Sequence, residues 1–196
     1  DLKRILELRD LVKSGGDIPP SLQIISHISI SVDSASKTNA VNDMTAITVW
    51  GSNRENTNHF LLDSINKKVE FPELIKLVTD VFNNYRAWGF GTPEMIIEDR
   101  SSGIALIQHL RKMSQIPVIA VNPCKSKELR MEDAIVHIEG GRIWLPIAAH
   151  FLYELELQLS QFPLGRYRDI ADSVSQFINR RFTRKTRKKK YQRYIR

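Results

Sequence analysis

One cysteine, Cys124, stands in a chain of 196 residues. It cannot form an internal disulfide, and no Cys or His pair has zinc spacing, so the core must hold the fold and a reducing compartment is expected. The five histidines (His27, His59, His109, His137, His150) are scattered and read as surface or packing residues. No run of about 18 apolar residues occurs, so neither a membrane-spanning helix nor a membrane partner is expected. The pattern G-x-x-x-x-G-K-[ST] is also absent, and Ser14-Gly15-Gly16 is only a turn signal, which excludes an ATP motor of that kind. An initiating methionine is missing too. The chain opens on Asp1 with a charged, helix-like stretch rather than a signal peptide, as expected of a piece of a longer protein.

What is present is ordinary for one cored domain, with 42% apolar residues. The net charge of +7 conceals two unlike parts. From Arg180 to Arg196 there are ten Lys or Arg and no acid, which leaves 19 basic against 22 acidic groups elsewhere. A basic block of this kind is either solvated or binds nucleic-acid phosphates, and Tyr191 and Tyr194 within it can stack on bases. The expected organisation is a leader helix over 1–20, one domain over 21–180 and a basic tail over 181–196.

The chain is organised around Ile28 to Thr38 and its sequel Asn42 to Gly51. The first half reads as a buried strand ending in Asp33, then a small polar turn, and the second as an alternating run that pairs back. Strands are expected near 24–33, 44–51 and 58–66 as an antiparallel meander. Phe71-Pro72-Glu73 opens a helix with Leu74, Leu77, Val78, Val81, Phe82, Tyr85 and Trp88 on one face. Met95-Ile96-Ile97 is a short buried strand closing on Glu98-Asp99. Ser101-Ser102-Gly103 leads into a helix carrying Ile104, Leu106, Ile107 and Leu110, and Ile116 to Val121 is a further strand. Strand, helix, strand in this order implies parallel pairing. Helices are expected at 126–138 (Leu129, Ala134, Ile135, Ile138), 148–160 and 168–181 (Ile170, Ala171, Val174, Phe177, Ile178), with a short strand over Arg142 to Leu145. The fold class is therefore α/β, a mixed sheet with an antiparallel meander and parallel strands, flanked by helices.

Acidic residues recur at comparable points: Asp33 and Glu98 at strand ends, and Asp169 with Asp172 in the first turn of the last helix. If the strands are neighbours, Asp33 and Glu98 leave the same sheet edge and can share a cation. Asp169 and Asp172 lie on one helix face. On the residues alone two readings stay open, since Asp33 can cap its turn and acids stabilise any helix N-terminus. Carboxylates that repel one another make chemical sense with a cation between them. Hard oxygen ligands suit Mg or Mn, and two such ions about 3.5–4 Å apart support in-line phosphodiester hydrolysis.

These motifs resemble the nuclease domain of the large terminase subunit of tailed phages and prophages, which has a ribonuclease-H-like fold. The resemblance covers about residues 24 to 180. It rests on Val32 to Lys37 with Asn42-Asp43, on Ile97 to Gly103 with Leu106-Ile107-Gln108, and on Phe162-Pro163-Leu164-Gly165 leading to Asp169-Ile170-Ala171-Asp172-Ser173. It implies a metal-dependent endonuclease that cuts double-stranded DNA during genome packaging with two Mg or Mn ions. An upstream ATPase domain is implied, with the small terminase subunit and the portal as further partners, in the cytoplasm of a phage-infected or prophage-bearing bacterium. By motif position Asp33 and Glu98 are the first two metal-binding acids. The third ligand comes from an Asp-Asp pair, and here the chain departs from the pattern: Arg168 stands where the first of the pair belongs. The role then falls to Asp169, with Asp172 in support. Arg168 either neutralises the cluster or swings out to a DNA phosphate. Lys37, Arg168, Arg184, Lys185, Arg187 and Lys188 are candidate nucleic-acid contacts. Lys125, Lys127 and Arg130 read as rim or ordinary surface charge, Asp43 as a solvated loop residue, and Asp99 as pointing away from Glu98. The competing reading is a non-catalytic DNA-binding or packaging module with a vestigial acid cluster. Ribonuclease H, recombinases and junction resolvases share the fold and metal logic.

Overall fold

The computed structural model describes residues 25–34, 44–146 and 148–183. Strands β1 (His27–Asp33), β2 (Thr45–Ser52) and β3 (His59–Lys67) form the antiparallel meander. There follow α1 (Phe71–Arg86), β4 (Glu94–Glu98), α2 (Ser102–Met113), β5 (Val118–Val121), α3 (Lys127–Glu139), β6 (Ile143–Trp144), α4 (Leu152–Gln161) and α5 (Asp169–Thr183). All six strands share one sheet in the order β5-β4-β1-β2-β3-β6. β4 runs parallel to β1 and β5 parallel to β4, as the crossover pattern implied. One element was not expected in this role: the two-residue β6 closes the far edge by pairing parallel to β3.

Strand alternation divides the molecule into two cores. On one face Ile28, Ile30 and Val32 of β1, Ile47 and Val49 of β2, and Met95 and Ile97 of β4 pack under α1 and α2. Helix α1 begins where Pro72 needs no N–H partner and where Glu73 accepts from the Glu70 backbone N–H at 3.3 Å. On the other face Ala46, Trp50 and Ile96 pack under α3, α4 and α5. Here Trp50 stacks on Phe177 with ring centroids 4.5 Å apart. His59 packs edge-on against Phe177 and Phe182, the packing role expected of a scattered histidine.

The β1 residues on this second face are all polar: His27, Ser29, Ser31 and Asp33. Ser29 and Ser31 are fully buried, so their hydroxyls need partners. The Ser31 hydroxyl donates to the Ser173 carbonyl (2.9 Å), the Ser173 hydroxyl donates to the Ser31 carbonyl (3.0 Å), and the Ser173 and Thr48 hydroxyls meet at 2.8 Å. The Gln176 amide donates to the Ser31 hydroxyl (2.9 Å) and to the carbonyls of Val32 and Ile96 (3.2 Å each). This polar seam fixes α5 across β1 and β4, one helical turn from Asp172.

Two expected helix faces need correction. In α3 the buried residues are Arg130, Met131 and Ala134, whereas Leu129 and Ile135 stand 49% and 41% exposed. Ile104 of α2 is likewise exposed. Apolar periodicity located these helices, but packing against α5 chose a face that includes an arginine. Helix α4 starts at Leu152 rather than near 148. The expected leader over 1–20 and tail residues 184–196 lie outside the described residues.

Candidate active site at the sheet edge

β1 and β4 pair in register from Ser29 opposite Glu94 to Val32 opposite Ile97, so the next residues, Asp33 and Glu98, end side by side. Both share the parity of the α5-facing positions. The chain then turns sharply after Glu98. Gly103 donates its N–H to the Arg100 carbonyl at 2.9 Å, and a Cβ at Gly103 would stand 2.0 Å from the Glu98 carbonyl oxygen. Only glycine fits there. Ser102 ties the other strand end, its hydroxyl meeting that of Ser34 at 2.9 Å and donating to the Ser34 carbonyl at 3.1 Å.

Helix α5 enters over this edge. Its first turn is held by Gln158, whose side-chain carbonyl accepts from the Ile170 N–H at 2.9 Å, so Asp169 and Asp172 face the strand ends. Asp172 is 2% exposed, and its Oδ1 is buried with no hydrogen-bond partner. Asp169 is half-buried. Burial pushes the Asp33 carboxyl up to about 8; Lys127 opposes that shift, and Asp172, Glu98 and Asp169 reinforce it in that order. Burial also raises Asp172, against the pull of Lys127 and Arg130. Asp172 thus acts on Asp33 more strongly than Asp169 does.

The cations were missed in the sequence reading, which gave Lys127 and Arg130 to the surface. Lys127 hydrogen-bonds Asp172 Oδ2 and stands 4.0 Å from Asp33 Oδ2. Burial works against its charge, but the two aspartates outweigh this and hold its ammonium above the ordinary value. Arg130 pairs with Glu98 at 3.0 Å with its side chain 9% exposed, and its carbonyl accepts from Asn179 of α5 at 2.7 Å. The signal that would have found them is topological. A helix following a parallel strand begins at the sheet edge where the strands end, so its first turn faces the same acids.

Arg168 does not enter the cluster. It is exposed, its guanidinium donates to the Pro163 carbonyl at 3.3 Å, and it meets Asp172 through backbone alone, its carbonyl accepting from the Asp172 N–H at 2.9 Å. Asp99 is exposed and turned away, as expected. Lys125 pairs with Asp133 on the surface. Lys37, Asp43, Arg184, Lys185, Arg187 and Lys188 lie outside the described residues.

The donor set suits a hard cation, since Asp33, Glu98, Asp169 and Asp172 offer only carboxylate oxygens and Asp172 Oδ1 is orphaned. Among the described residues no three such side chains stand close enough together to form a metal shell; the Lys127 ammonium lies between two of them, Asp33 and Asp172. Nor is any helix among those residues long and apolar enough to cross a membrane.

No protein-family model matches the sequence, and no curated protein matches it. Solved structures do match. The nuclease domain of the human cytomegalovirus terminase superposes with a TM-score of 0.56 at 13% identity, covering 76% of this chain and 81% of that one. The large terminase nuclease domain of bacteriophage SPP1, solved with bound Mn, gives a TM-score of 0.54 at 14% identity, covering 85% and 93%. The fold is that of the terminase nuclease domains. In this terminase-nuclease fold the mixed, ribonuclease-H-like sheet brings the ends of β1 and β4 and the start of α5 to one edge, the place where the sequence put its acids.

Proposed function

We propose that this chain is a metal-dependent endonuclease that hydrolyses phosphodiester bonds of double-stranded DNA. The observation that carries the reading is that the ends of β1 and β4 and the start of α5 bring Asp33, Glu98 and Asp172 to one sheet edge, where burial first and the neighbouring acids second push Asp33 up to about 8. Such a cluster is unfavourable for the fold and favourable for holding a cation. The likeness in fold to a terminase nuclease domain with bound Mn supports the same choice of ion.

Asp33, Glu98 and Asp172 would hold the metal, with Asp169 beside them. A bound divalent ion, or a pair of them, supplies Lewis-acid stabilisation of the charge that develops on phosphate and lowers the pKa of an attacking water. The protein's own residues do the rest. Arg130 fixes the Glu98 carboxylate, Gly103 lets the chain turn under it, and Gln176 holds the two strand ends at one spacing. Arg168, exposed just before α5, is the candidate contact for a DNA phosphate in this reading. Residues 184–196 are the proposed basic arm that adds affinity without sequence preference; Arg181, which the sequence reading gave to the tail, belongs to α5 and pairs with Glu94. An ATPase domain preceding residues 1–20, a small terminase subunit and a portal belong to the same reading.

Arg168 in the place of an acid also favours a second reading, a DNA-binding module that does not cut. Supercoiled plasmid incubated with Mn, Mg or EDTA separates the two. Nicking or linearisation is expected with either metal and is expected to vanish with EDTA and in Asp33→Ala. Equal cutting by that variant, or a folded wild type that binds DNA yet leaves the plasmid intact, would overturn the enzyme reading.

A further inference from the structure

We propose that Lys127 is a tethered counter-cation that occupies the acid cluster in the metal-free protein and is expelled when a divalent ion is taken up. The inference rests on the metal-dependent reading above and adds a residue that competes with the metal.

Two cations leave α3 toward the acids, and they are built differently. Arg130 is a fixed part of the structure: its side chain is 9% exposed, it pairs with Glu98, and its backbone is tied to α5 through Asn179. Lys127 is the first residue of the helix, directly after Ser126, whose hydroxyl accepts from the Leu129 N–H at 3.3 Å. Its side chain is 44% exposed although it ends on Asp172, which is nearly inaccessible. The stem therefore lies along the open edge of the site, and only the ammonium reaches in.

A purely structural ion pair in a buried place is stabilising when the remaining lone pairs of its acid are also satisfied. Here they are not, since Asp172 Oδ1 is buried without a partner. Lys127 thus neutralises the cluster incompletely, as a single compact charge does among several carboxylates. A divalent ion offers twice the charge and further coordination positions to the same oxygens. Lysine has the flexible four-carbon stem needed to withdraw into solvent, where its charge is screened.

The test uses Mn alone, without DNA, on EDTA-treated protein. Calorimetric titration compares wild type with Lys127→Met, which keeps the stem and removes the charge, and with Lys127→Arg, which keeps the charge. Lys127→Met is expected to bind Mn at least about tenfold more tightly, because a like charge on the same carboxylates is removed, while its metal-free form melts at a lower temperature, because buried Asp172 loses its partner. Lys127→Arg is expected to stay within about threefold of wild type, as its charge is unchanged. Labelling of wild type with an amine-reactive ester, read at Lys127 by mass spectrometry, is expected to rise on addition of Mn; this arm does not depend on any variant folding. Unchanged or weaker Mn binding by a folded Lys127→Met, or labelling that does not rise while wild type binds Mn, would overturn the proposal and leave the nuclease reading intact. Absence of Mn binding by every form would overturn both.

Discussion

Substituting Gln176 by Met tests whether the polar seam sets the geometry of the site. The amide is 3% exposed and makes bonds of 2.9, 3.2 and 3.2 Å to the Ser31 hydroxyl and to the carbonyls of Val32 and Ile96. Methionine matches its length and removes every donor. Each lost bond is worth about 0.5–1.5 kcal/mol net, and an acceptor left bare inside costs about 1–3 kcal/mol. Ser31 keeps its bond to the Ser173 carbonyl, and both strand carbonyls lie in paired strands, so the lower figures apply. The amide has two N–H groups to share among the three acceptors, so the loss is about 2 kcal/mol, or about 4–8 °C in Tm for a chain of this size. Val32 immediately precedes Asp33 and Ile96 lies two before Glu98, so loosening α5 from both also spreads the acids. Denaturant unfolding and Mn titration of the same samples check this, with lower stability and weaker Mn binding expected together. A stability loss below about 0.5 kcal/mol, the level of an ordinary surface substitution, would refute the reasoning.

Gly103→Ala addresses the other side of the strand end. The added Cβ would lie 2.0 Å from the Glu98 carbonyl oxygen, which is backbone and cannot yield cheaply, so a loss of at least about 2 kcal/mol is expected in denaturant unfolding together with a fall in plasmid cleavage; wild-type behaviour in both would show that the turn is not tight. The pH dependence follows from the raised acids. Between its ordinary value and about 8, Asp33 keeps its proton in the folded state and has lost it in the unfolded one, so the stability of metal-free protein falls as pH rises through that window. Asp172, also raised, acts in the same direction. Thermal melts of EDTA-treated protein from about pH 5 to 8 are expected to show a falling Tm that flattens in Asp33→Asn; a wild-type Tm that holds or rises would contradict the assignment.

How much of this was legible in the sequence depends on the range of the interaction. Asp33 and Glu98 could be placed on one sheet edge because period-two alternation and a strand-helix-strand order are local signals that fix which edge and which face a strand end presents. The stripe Ile170, Ala171, Val174, Phe177 and Ile178 was legible for the same reason, and all five residues are buried. Helix α3 defeated the same logic, since Leu129 and Ile135 look like core and stand outside, while Arg130 looks like surface and is inside. Its burial depends on Glu98, 32 residues away, and no local period encodes that partner. The seam was hidden in a similar way: no local pattern marks Ser31, Thr48, Ser173 and Gln176 as partners, and they meet in the interior because α5 crosses β1. Arg168 was recognised as a departure, but whether it enters the cluster was decided by the Pro163 carbonyl.

The site is held by two devices that answer different parts of one problem. In the proposed site, carboxylates at adjacent strand ends stay close enough to share a cation although their charges drive them apart. Gln176, the serine pair and Gly103 act on backbone position through neutral hydrogen bonds and steric fit, so their contribution does not follow the ionisation of the acids. Lys127 and Arg130 act on charge, so their contribution grows as Asp33 and Asp172 ionise. Without the seam the acids would relax by separating, and the cations of α3 would then hold a wider and weaker site. With the seam in place separation is blocked, and repulsion has to be relieved by protonation or by a cation. A rigid support beneath mutually repelling acids therefore turns an unfavourable charge cluster into a selective demand for positive charge at one point of the sheet edge.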